Sequence, residues 1–263
     1  MRKLILILAI LIQIIELIGQ NSSTAEICII GETHDETNFY NAKILDSLLA
    51  IIKPDLILVE LDSSFFTSDF QFDTVANPGL YGSISVKAVN NYISRNTKTD
   101  IRPYDITGRN NFYKENDYFN RKNKMYQDIF RYSIKDSISE RDYTDFIILA
   151  LSLQCINSLS LKSLEELNSQ AVTNLTFLQQ TIYLNNAINL VESNDLLRNH
   201  RDFANLQRDY WDKRNSQMVQ NILKLSENYA RIVVITGSLH KYLLSMGIQM
   251  SGKDFKIKEF WEY

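Results

Sequence analysis

Two apolar runs near opposite ends of the chain lead into the same short motif. Residues 27–30 read Ile-Cys-Ile-Ile and residues 232–235 read Ile-Val-Val-Ile, and each run is followed by a Gly-x-x-His sequence that ends at His34 or at His240. An apolar run rich in β-branched residues and bounded by glycine predicts a buried strand of an α/β sheet. Open α/β sheets bind ligands beyond the carboxyl ends of their strands, so both histidines are expected at such a site.

The segment after the first run alternates between helical and extended patterns. Residues 38–52 place apolar side chains at helical spacing, and Pro54 ends the predicted helix. Residues 56–61 form a second buried strand with Glu60 near its carboxyl end. A strand, a helix and a strand in this order predict a right-handed parallel pair.

The next predicted elements are less regular. Residues 63–82 are rich in Ser, Asp, Asn, Pro and Gly and predict an irregular connection, although a flap over a cleft is the alternative. Residues 83–94 predict a helix, and residues 100–105 predict a third strand. Pro103 cannot donate a ladder hydrogen bond, so this strand is expected at a sheet edge.

A long helical region separates these elements from the second Gly-x-x-His motif. Residues 112–229 have a helical pattern with almost no glycine or proline, with interruptions near 158–163 and 193–200. Residues 255–263 then predict a final edge strand. We therefore expect an α/β fold with a mixed, largely parallel sheet flanked by helices, in a single domain over residues 21–263 with a helical insertion at about 112–229.

The N-terminal segment has the pattern of a secretory signal peptide. Arg2 and Lys3 precede an apolar run over residues 4–19, which ends near a small residue. We expect residues 1–20 to be removed near Gly19, leaving an exported protein, periplasmic or secreted, without a stable membrane span. A membrane anchor is the alternative, but the run is shorter than the roughly 20 apolar residues that a span needs.

Composition excludes some classes of function. The formal net charge is −3, the pI is about 5.7, and no basic run alternates with aromatic residues, so nucleic acid is not an expected partner. The two cysteines, Cys28 and Cys155, fall in a predicted strand and a predicted helix. Both are interpreted as small buried hydrophobic residues, although export would permit a disulfide.

Three residues at predicted strand ends have the chemistry of a metal site. His34, Glu60 and His240 offer two imidazoles and a carboxylate from separate strands, which is the donor set of a catalytic divalent metal with open positions for water and substrate. The pattern does not distinguish Mn, Co, Zn or Fe. A single histidine after a strand is more often structural, and the repeated spacing is what favours function here.

Other polar residues are candidates for supporting roles. Glu32 precedes His34 by two residues and is a candidate metal ligand, general base or hydrogen-bond acceptor for the histidine. Asp105, at the end of the third predicted strand, is a weaker site candidate. His200 lies in a polar stretch and is expected to be solvated.

One predicted helix, residues 208–229, carries polar residues on an apolar stripe. At 100° per residue, Arg214 and Asn221 fall on the face that also carries Met218. A buried guanidinium needs a polar partner, because leaving it unpaired costs several kcal/mol. That partner is either a substrate carboxylate, phosphate or oxyanion, or a structural Asp or Glu.

Four segments together resemble the superfamily of TIKI, TraB/PrgY, ChaN and erythromycin-esterase-like proteins. They are residues 31–34 (Gly-Glu-Thr-His), 59–62 (Val-Glu-Leu-Asp), 214–221 (Arg-Asn-Ser-Gln-Met-Val-Gln-Asn) and 233–240 (Val-Val-Ile-Thr-Gly-Ser-Leu-His). The resemblance covers both ends of the mature chain and leaves the middle helices unmatched. It implies an α/β fold with a helical insertion and a site built from Glu32, His34, Glu60, Arg214 and His240.

The resemblance implies several activities, because members of this superfamily differ. The first expectation is a metal-dependent hydrolase, similar to TIKI proteases, that cleaves a peptide or a small-molecule ester. In it His34, Glu60 and His240 hold the metal, Glu32 acts on water and Arg214 steadies substrate. The second is a metal-independent hydrolase, similar to erythromycin esterases, with His34 as general base. The third is a ChaN-like haem- or iron-binding protein. Fold transfers more safely than reaction between such relatives.

Overall fold

A computed structural model describes residues 24–33, 35–133, 138–157, 159 and 161–263, without the side chains of residues 156 and 157. The predicted signal peptide and its cleavage position lie outside the described residues. His34 also lies outside them, so its predicted role stays a prediction.

Five strands form one parallel sheet. They are β1 (Ala25–Glu32), β2 (Leu56–Val59), β3 (Asp100–Pro103), β4 (Arg231–Gly237) and β5 (Phe255–Lys258), in the order β3-β2-β4-β1-β5. The predicted α/β class is confirmed, and every pairing in the sheet is parallel. The predicted edge positions of the third and final strands are also confirmed. The carboxyl ends of β1, β2, β3 and β4, which carry the polar site candidates, therefore lie at the same end of the sheet.

Nine α-helices of the described residues surround or extend this sheet. They are α1 (Ala42–Ile52), α2 (Ile84–Arg95), α3 (Arg109–Glu115), α4 (Tyr118–Ser133), α5 (Glu140–Asn157), α6 (Leu164–Asn168), α7 (Gln170–Ser193), α8 (Arg201–Leu225) and α9 (Lys241–Met250). Short 3-10 helices cover Ser63–Phe65, Pro78–Gly82, Asp195–His200 and Phe260–Glu262. Residues 63–82, which were predicted to form an irregular connection, thus form a connection that contains two short 3-10 helices.

Alternation along the central strands divides the core between two faces of the sheet. One set of strand side chains packs with α1 and α2, and includes Cys28, Ile30 and Val233. The alternate set packs with α8 and α9, and includes Ile29 and Val234. Both faces are covered, which explains why these strands are continuously apolar.

Helices α3 to α8 lie between β3 and β4 in the chain, as the helical pattern predicted. Much of this region has its own apolar core, in which Met125, Leu149 and Leu190 are fully buried. The last helix of this region, α8, begins before the predicted start at residue 208 and ends before residue 229, because the chain turns through Ser226 toward β4 after Leu225. Its polar face nevertheless points into the site described below.

Two further sequence expectations can be compared with the structure. Cys28 is fully buried in β1, as predicted. Cys155 is only partly buried, so its interpretation as a buried residue is wrong. Among the helices of the described residues, none combines the length and apolar character required to cross a bilayer.

Candidate functional site

The site forms where β2 and β4 end, around the guanidinium of Arg214. Glu60 follows β2 directly, and its Oε1 accepts a hydrogen bond of 2.6 Å from Arg214 Nη2. His240 lies between β4 and α9, with its Nε2 at 3.0 Å from Arg214 Nη1. Three residues predicted from separate elements are therefore brought together, and Arg214 is the centre of the group.

Asp105 completes the surroundings of Arg214. Its carboxylate accepts from both Nε and Nη2 of Arg214, each at 2.8 Å, which is the bidentate side-on geometry of strong ion pairs. Four of the five guanidinium N–H groups are then bonded to protein atoms. The side chain of Arg214 is 7% exposed. These contacts favour the alternative in which Arg214 pairs with structural carboxylates.

The hydrogen bonds of His240 define its tautomer. Arg214 is always a donor, so His240 Nε2 accepts and the proton must be on Nδ1. Nδ1 donates to Asn215 Oδ1 at 2.6 Å, and the amide of Asn215 is itself oriented by a bond from its Nδ2 to the Trp211 carbonyl. The ring of Trp211 stacks on the imidazole with centroids 4.5 Å apart. Burial lowers the pKa of His240 to about 4, so the ring is neutral at pH 7.

Glu60 is held in its ionised form. Burial disfavours its charge, but the neighbouring His240 and Arg214, with hydrogen bonds from the backbone of Gly237 and the hydroxyl of Thr236, outweigh burial and lower its pKa to about 2. The Gly237 N–H and the Thr236 hydroxyl both donate to Oε2, at 2.7 and 2.8 Å. Both carboxylate oxygens of Glu60 are therefore already bonded by protein donors.

This arrangement does not fit a metal ion shared by Glu60 and His240. Their side chains approach to 3.7 Å, but Glu60 Oε1 and His240 Nε2 both accept hydrogen bonds from Arg214. A divalent cation would need the same lone pairs and would lie against a guanidinium that Asp105 holds in place. No group of three or more His, Cys, Asp or Glu residues within the described ranges has metal-binding geometry. Axial ligation of haem by His240 would need the same nitrogen.

Glu32 lies on the other side of the end of β4. It is the last residue of β1 and is in register with Gly237, whose N–H binds Glu60. Burial raises the pKa of Glu32 to about 7, and the charge of Glu60 also raises it, against hydrogen bonds from the Tyr40 and Ser85 hydroxyls. Glu32 is partly buried as a whole residue, and burial is the main influence on its carboxyl group.

Asn168, at the end of α6, binds the backbone just before Glu32. Its Oδ1 accepts from the Gly31 N–H at 2.7 Å, and its Nδ2 donates to the Gly31 carbonyl at 2.9 Å. The buried amine of Lys241 donates to the same Oδ1 at 3.0 Å and to Glu259 at 2.7 Å. A Cβ on Gly31 would approach Asn168 Oδ1 to 3.1 Å and Ser238 Cα to 3.2 Å, so a larger residue here would press on both neighbours.

Two predictions from the polar residues have clear outcomes. Asp105, the weaker candidate, is part of the site, because its carboxylate accepts hydrogen bonds from Arg214 and Arg109. The expectation that His200 is solvated is wrong: it is 7% exposed, and its Nε2 lies 2.9 Å from Asp128 Oδ2. Asp128 is 72 positions away in the chain, so local polarity gave no sign of this pairing.

The sequence patterns missed several residues of the site. Arg109 Nη1 donates to Asp105 Oδ2 at 2.7 Å and lies 3.9 Å from Glu60 Oε1. Its position four residues after Asp105, at the start of a helix, is the one local signal that links it to the site. Asn168, Lys241 and Asn215 had no comparable signal, because their partners are distant in sequence or are backbone atoms.

Comparison of the chain with models of known protein families, with curated proteins and with solved structures found no match.

Proposed function

We propose that the chain is an exported hydrolase that activates water with Glu32 and acts on an ester or peptide bond without a bound metal. The observation that carries the proposal is the contrast between two carboxyl groups on either side of the end of β4. Glu60 has a pKa of about 2 and Glu32 a pKa of about 7. Pairs of carboxyl groups whose environments separate their pKa values in this way are typical of acid–base sites.

Glu32 has the properties that a general base requires. With a pKa near 7 it is present in both protonation states at neutral pH, which suits proton transfer in either direction. In the proposed reaction the carboxylate takes a proton from water while the water oxygen bonds to the carbonyl carbon. The same proton then passes to the leaving oxygen or nitrogen as the bond to carbon breaks.

The cluster around Arg214 has a supporting role in this proposal. Glu60 and Asp105 are negative, and Arg214 and Arg109 are positive. His240 is neutral, so the charges of the cluster sum to zero. The fixed negative charge of Glu60 helps to hold the pKa of Glu32 high. The resemblance to erythromycin-esterase-like proteins supports the reaction class, and the N-terminal pattern supports export. His34 stays the second candidate for the base.

The test is turnover of p-nitrophenyl esters and a peptide panel by the purified protein. Removal of the general base in Glu32→Gln is expected to lower kcat by about 10²- to 10⁴-fold. Wild-type kcat/KM should rise with pH through about 7. Glu227→Gln, which removes an exposed carboxylate paired with Lys253, is the matched control and should retain wild-type rates.

Metal content separates this proposal from the metal-dependent alternative. Elemental analysis of chelator-free protein, together with turnover in the presence of a chelator, is run on the wild type and on His34→Ala and His240→Ala. Unchanged turnover under chelation supports the proposal. Near-stoichiometric Mn, Co, Zn or Fe that both substitutions remove, with activity that depends on it, would replace it with the metal hydrolase. A Soret band on haem titration that the same substitutions remove would instead indicate a haem-binding protein.

A further inference from the structure

Arg109 brings an unused hydrogen-bond donor to the rim of the site. Its Nη1 binds Asp105, whereas its Nε is buried and has no hydrogen-bond partner among the described residues. The two arginines also differ in how they meet Asp105. Arg214 uses its side-on edge, Nε and Nη2, on that carboxylate, whereas Arg109 uses only Nη1 and its Nε is left without a described partner.

Tyr210 brings a second unused donor. The residue is 7% exposed, and its hydroxyl is buried without a hydrogen-bond partner in the described part of the chain. Its ring stacks on Phe112 with centroids 3.6 Å apart and planes 5° apart. Phe112 lies three residues after Arg109 on α3, so the stack brings Tyr210 to the helix that carries Arg109. The charges of Arg214, Asp105 and Arg109 all act on the Tyr210 hydroxyl.

The two helices contribute matching pairs of residues. Arg109 and Tyr113 are four residues apart on α3, and Tyr210 and Arg214 are four residues apart on α8, so each pair shares one helix face. Tyr113 meets Tyr210 edge to face, with centroids 5.7 Å apart. Contacting helices therefore bring two aromatic rings together next to the residues that carry the two guanidinium groups.

Two buried donors without acceptors, on two helices that contact each other through Phe112 and Tyr210, indicate a ligand from outside the fold. A buried polar group without a partner is destabilising, and native proteins rarely keep one. Both groups can donate a hydrogen bond, so the partner that they lack is an acceptor such as an oxygen atom. The side-on edge of a guanidinium matches the two oxygens of a carboxylate, and the adjacent rings suit a planar or apolar group attached to it.

We propose that Arg109 and Tyr210 form a carboxylate-binding subsite beside Glu60 and Asp105, so that the substrates are esters or amides that carry a free carboxylate. The assignment of these compounds as substrates rests on the proposed hydrolase function, whereas binding of a carboxylate to this subsite does not depend on that function.

Binding is tested first, with no reaction required. Sodium benzoate is titrated into the full-length protein by calorimetry, with benzamide as the neutral analogue of the same shape. Benzoate should bind the wild type at least ten-fold more tightly than benzamide does. Arg109→Gln should weaken benzoate binding by about ten-fold or more, and Tyr210→Phe should weaken it by a few-fold while keeping the ring that stacks on Phe112.

Matched controls change the same residue types elsewhere. Arg102→Gln removes an arginine whose guanidinium lies over the Phe70 ring and near Asp100, and Tyr143→Phe removes the hydroxyl of an exposed tyrosine on α5. Both should bind benzoate as the wild type does. If Arg109→Gln fails to fold, Arg109→Lys keeps a cation near Asp105 and should still weaken binding, because lysine lacks the Nε edge.

Turnover is then compared for mono-p-nitrophenyl succinate and p-nitrophenyl butyrate. The ratio of their kcat/KM values should favour the succinate in the wild type and should fall by about ten-fold in Arg109→Gln. Benzoate binding that depends on Arg109, without turnover of any ester, would keep the subsite and overturn the hydrolase. Turnover with no preference for the charged ester and no benzoate binding would keep the hydrolase and overturn the subsite. Equal binding of benzamide and benzoate would also overturn it.

Discussion

Glu32 ends β1 and Glu60 follows β2, the two strands that flank β4, and the pKa of Glu32 is raised whereas that of Glu60 is lowered. Glu60 receives protein donors at both oxygens, including the Gly237 N–H, the residue in register with Glu32. The carboxyl group of Glu32 is largely removed from water, is influenced by this negative charge, and accepts hydrogen bonds from the Tyr40 and Ser85 hydroxyls. The two residues are both glutamates, so the difference between their pKa values arises from the groups that surround each carboxylate.

The raised pKa of Glu32 predicts a loss of stability at high pH. Its pKa rises from 4.5 in the unfolded chain to about 7 in the folded protein, so folding takes up a proton between these values. The contribution to stability is complete below pH 4.5 and is lost as pH rises through about 7, by an amount on the order of 3 kcal/mol. Urea unfolding at pH 5 and pH 9 measures it. Glu32→Gln should remove this part of the pH dependence, whereas Glu227→Gln should keep it.

The lowered pKa of His240 predicts the opposite trend on the acid side. Its pKa falls from 6.5 to about 4 on folding, so the unfolded chain binds more protons between these values. Its contribution to stability is complete above pH 6.5 and is lost as pH falls through about 4. Nitrogen-15 NMR of the imidazole should show a neutral ring protonated at Nδ1 at pH 6. A ring that is already charged at pH 6 would contradict the hydrogen bonds to Arg214 and Asn215.

Arg214 is predicted to be essential for stability. Arg214→Met would leave Glu60 and Asp105 buried with less compensating charge, and breaking a buried ion pair from one side costs about 3–5 kcal/mol. The free energy of unfolding in urea measures this loss. Arg102→Met removes an ion pair of 3.4 Å with the half-exposed Asp100 and should cost about 1 kcal/mol or less. Equal losses in the two variants would show that the Arg214 cluster contributes no more than a surface pair.

Asn168 is predicted to stabilise the end of β1. The residue is fully buried, and Asn168→Ala would leave both backbone groups of Gly31 unbonded and remove one acceptor of Lys241. Each buried unbonded group costs about 1–3 kcal/mol, so the two backbone groups together predict a loss of about 2–6 kcal/mol. Hydrogen exchange of the Gly31 amide should accelerate in this variant. Asn174→Ala changes an exposed asparagine on α7 that bonds Gln170 and should have little effect on either measurement.

The strands and the strand-end residues were predictable because their signals are local. A β-branched run that stops at glycine predicts β1 and β4, and the position after a run predicts that Glu60 and His240 meet at one edge. Arg214 was predictable as a buried residue in need of a partner, since it interrupts an apolar stripe. The pattern could not name that partner, because Asp105 lies 109 positions away.

The remaining site residues depend on tertiary contacts that leave no periodic trace. Tyr210 and Phe112 read as ordinary apolar positions of two helices, and only their stacking shows that α3 and α8 meet beside Asp105. Arg109 reads as a helix-start residue on the surface. His200 shows the same limit in reverse, because a polar stretch of sequence became buried against Asp128.

The contact between Asn168 and Gly31 also decides where the sheet stops growing. β5 pairs with β1 from Ala25 to Cys28, so within the described residues the rest of that side of β1 has no neighbouring strand. At Gly31 the amide of Asn168 supplies the donor and acceptor that another strand would supply. An open edge at this point would offer its backbone groups to a second chain and invite self-association. We therefore expect the helical insertion to limit self-association at this edge, and a shortened form of the protein to need another group that closes it.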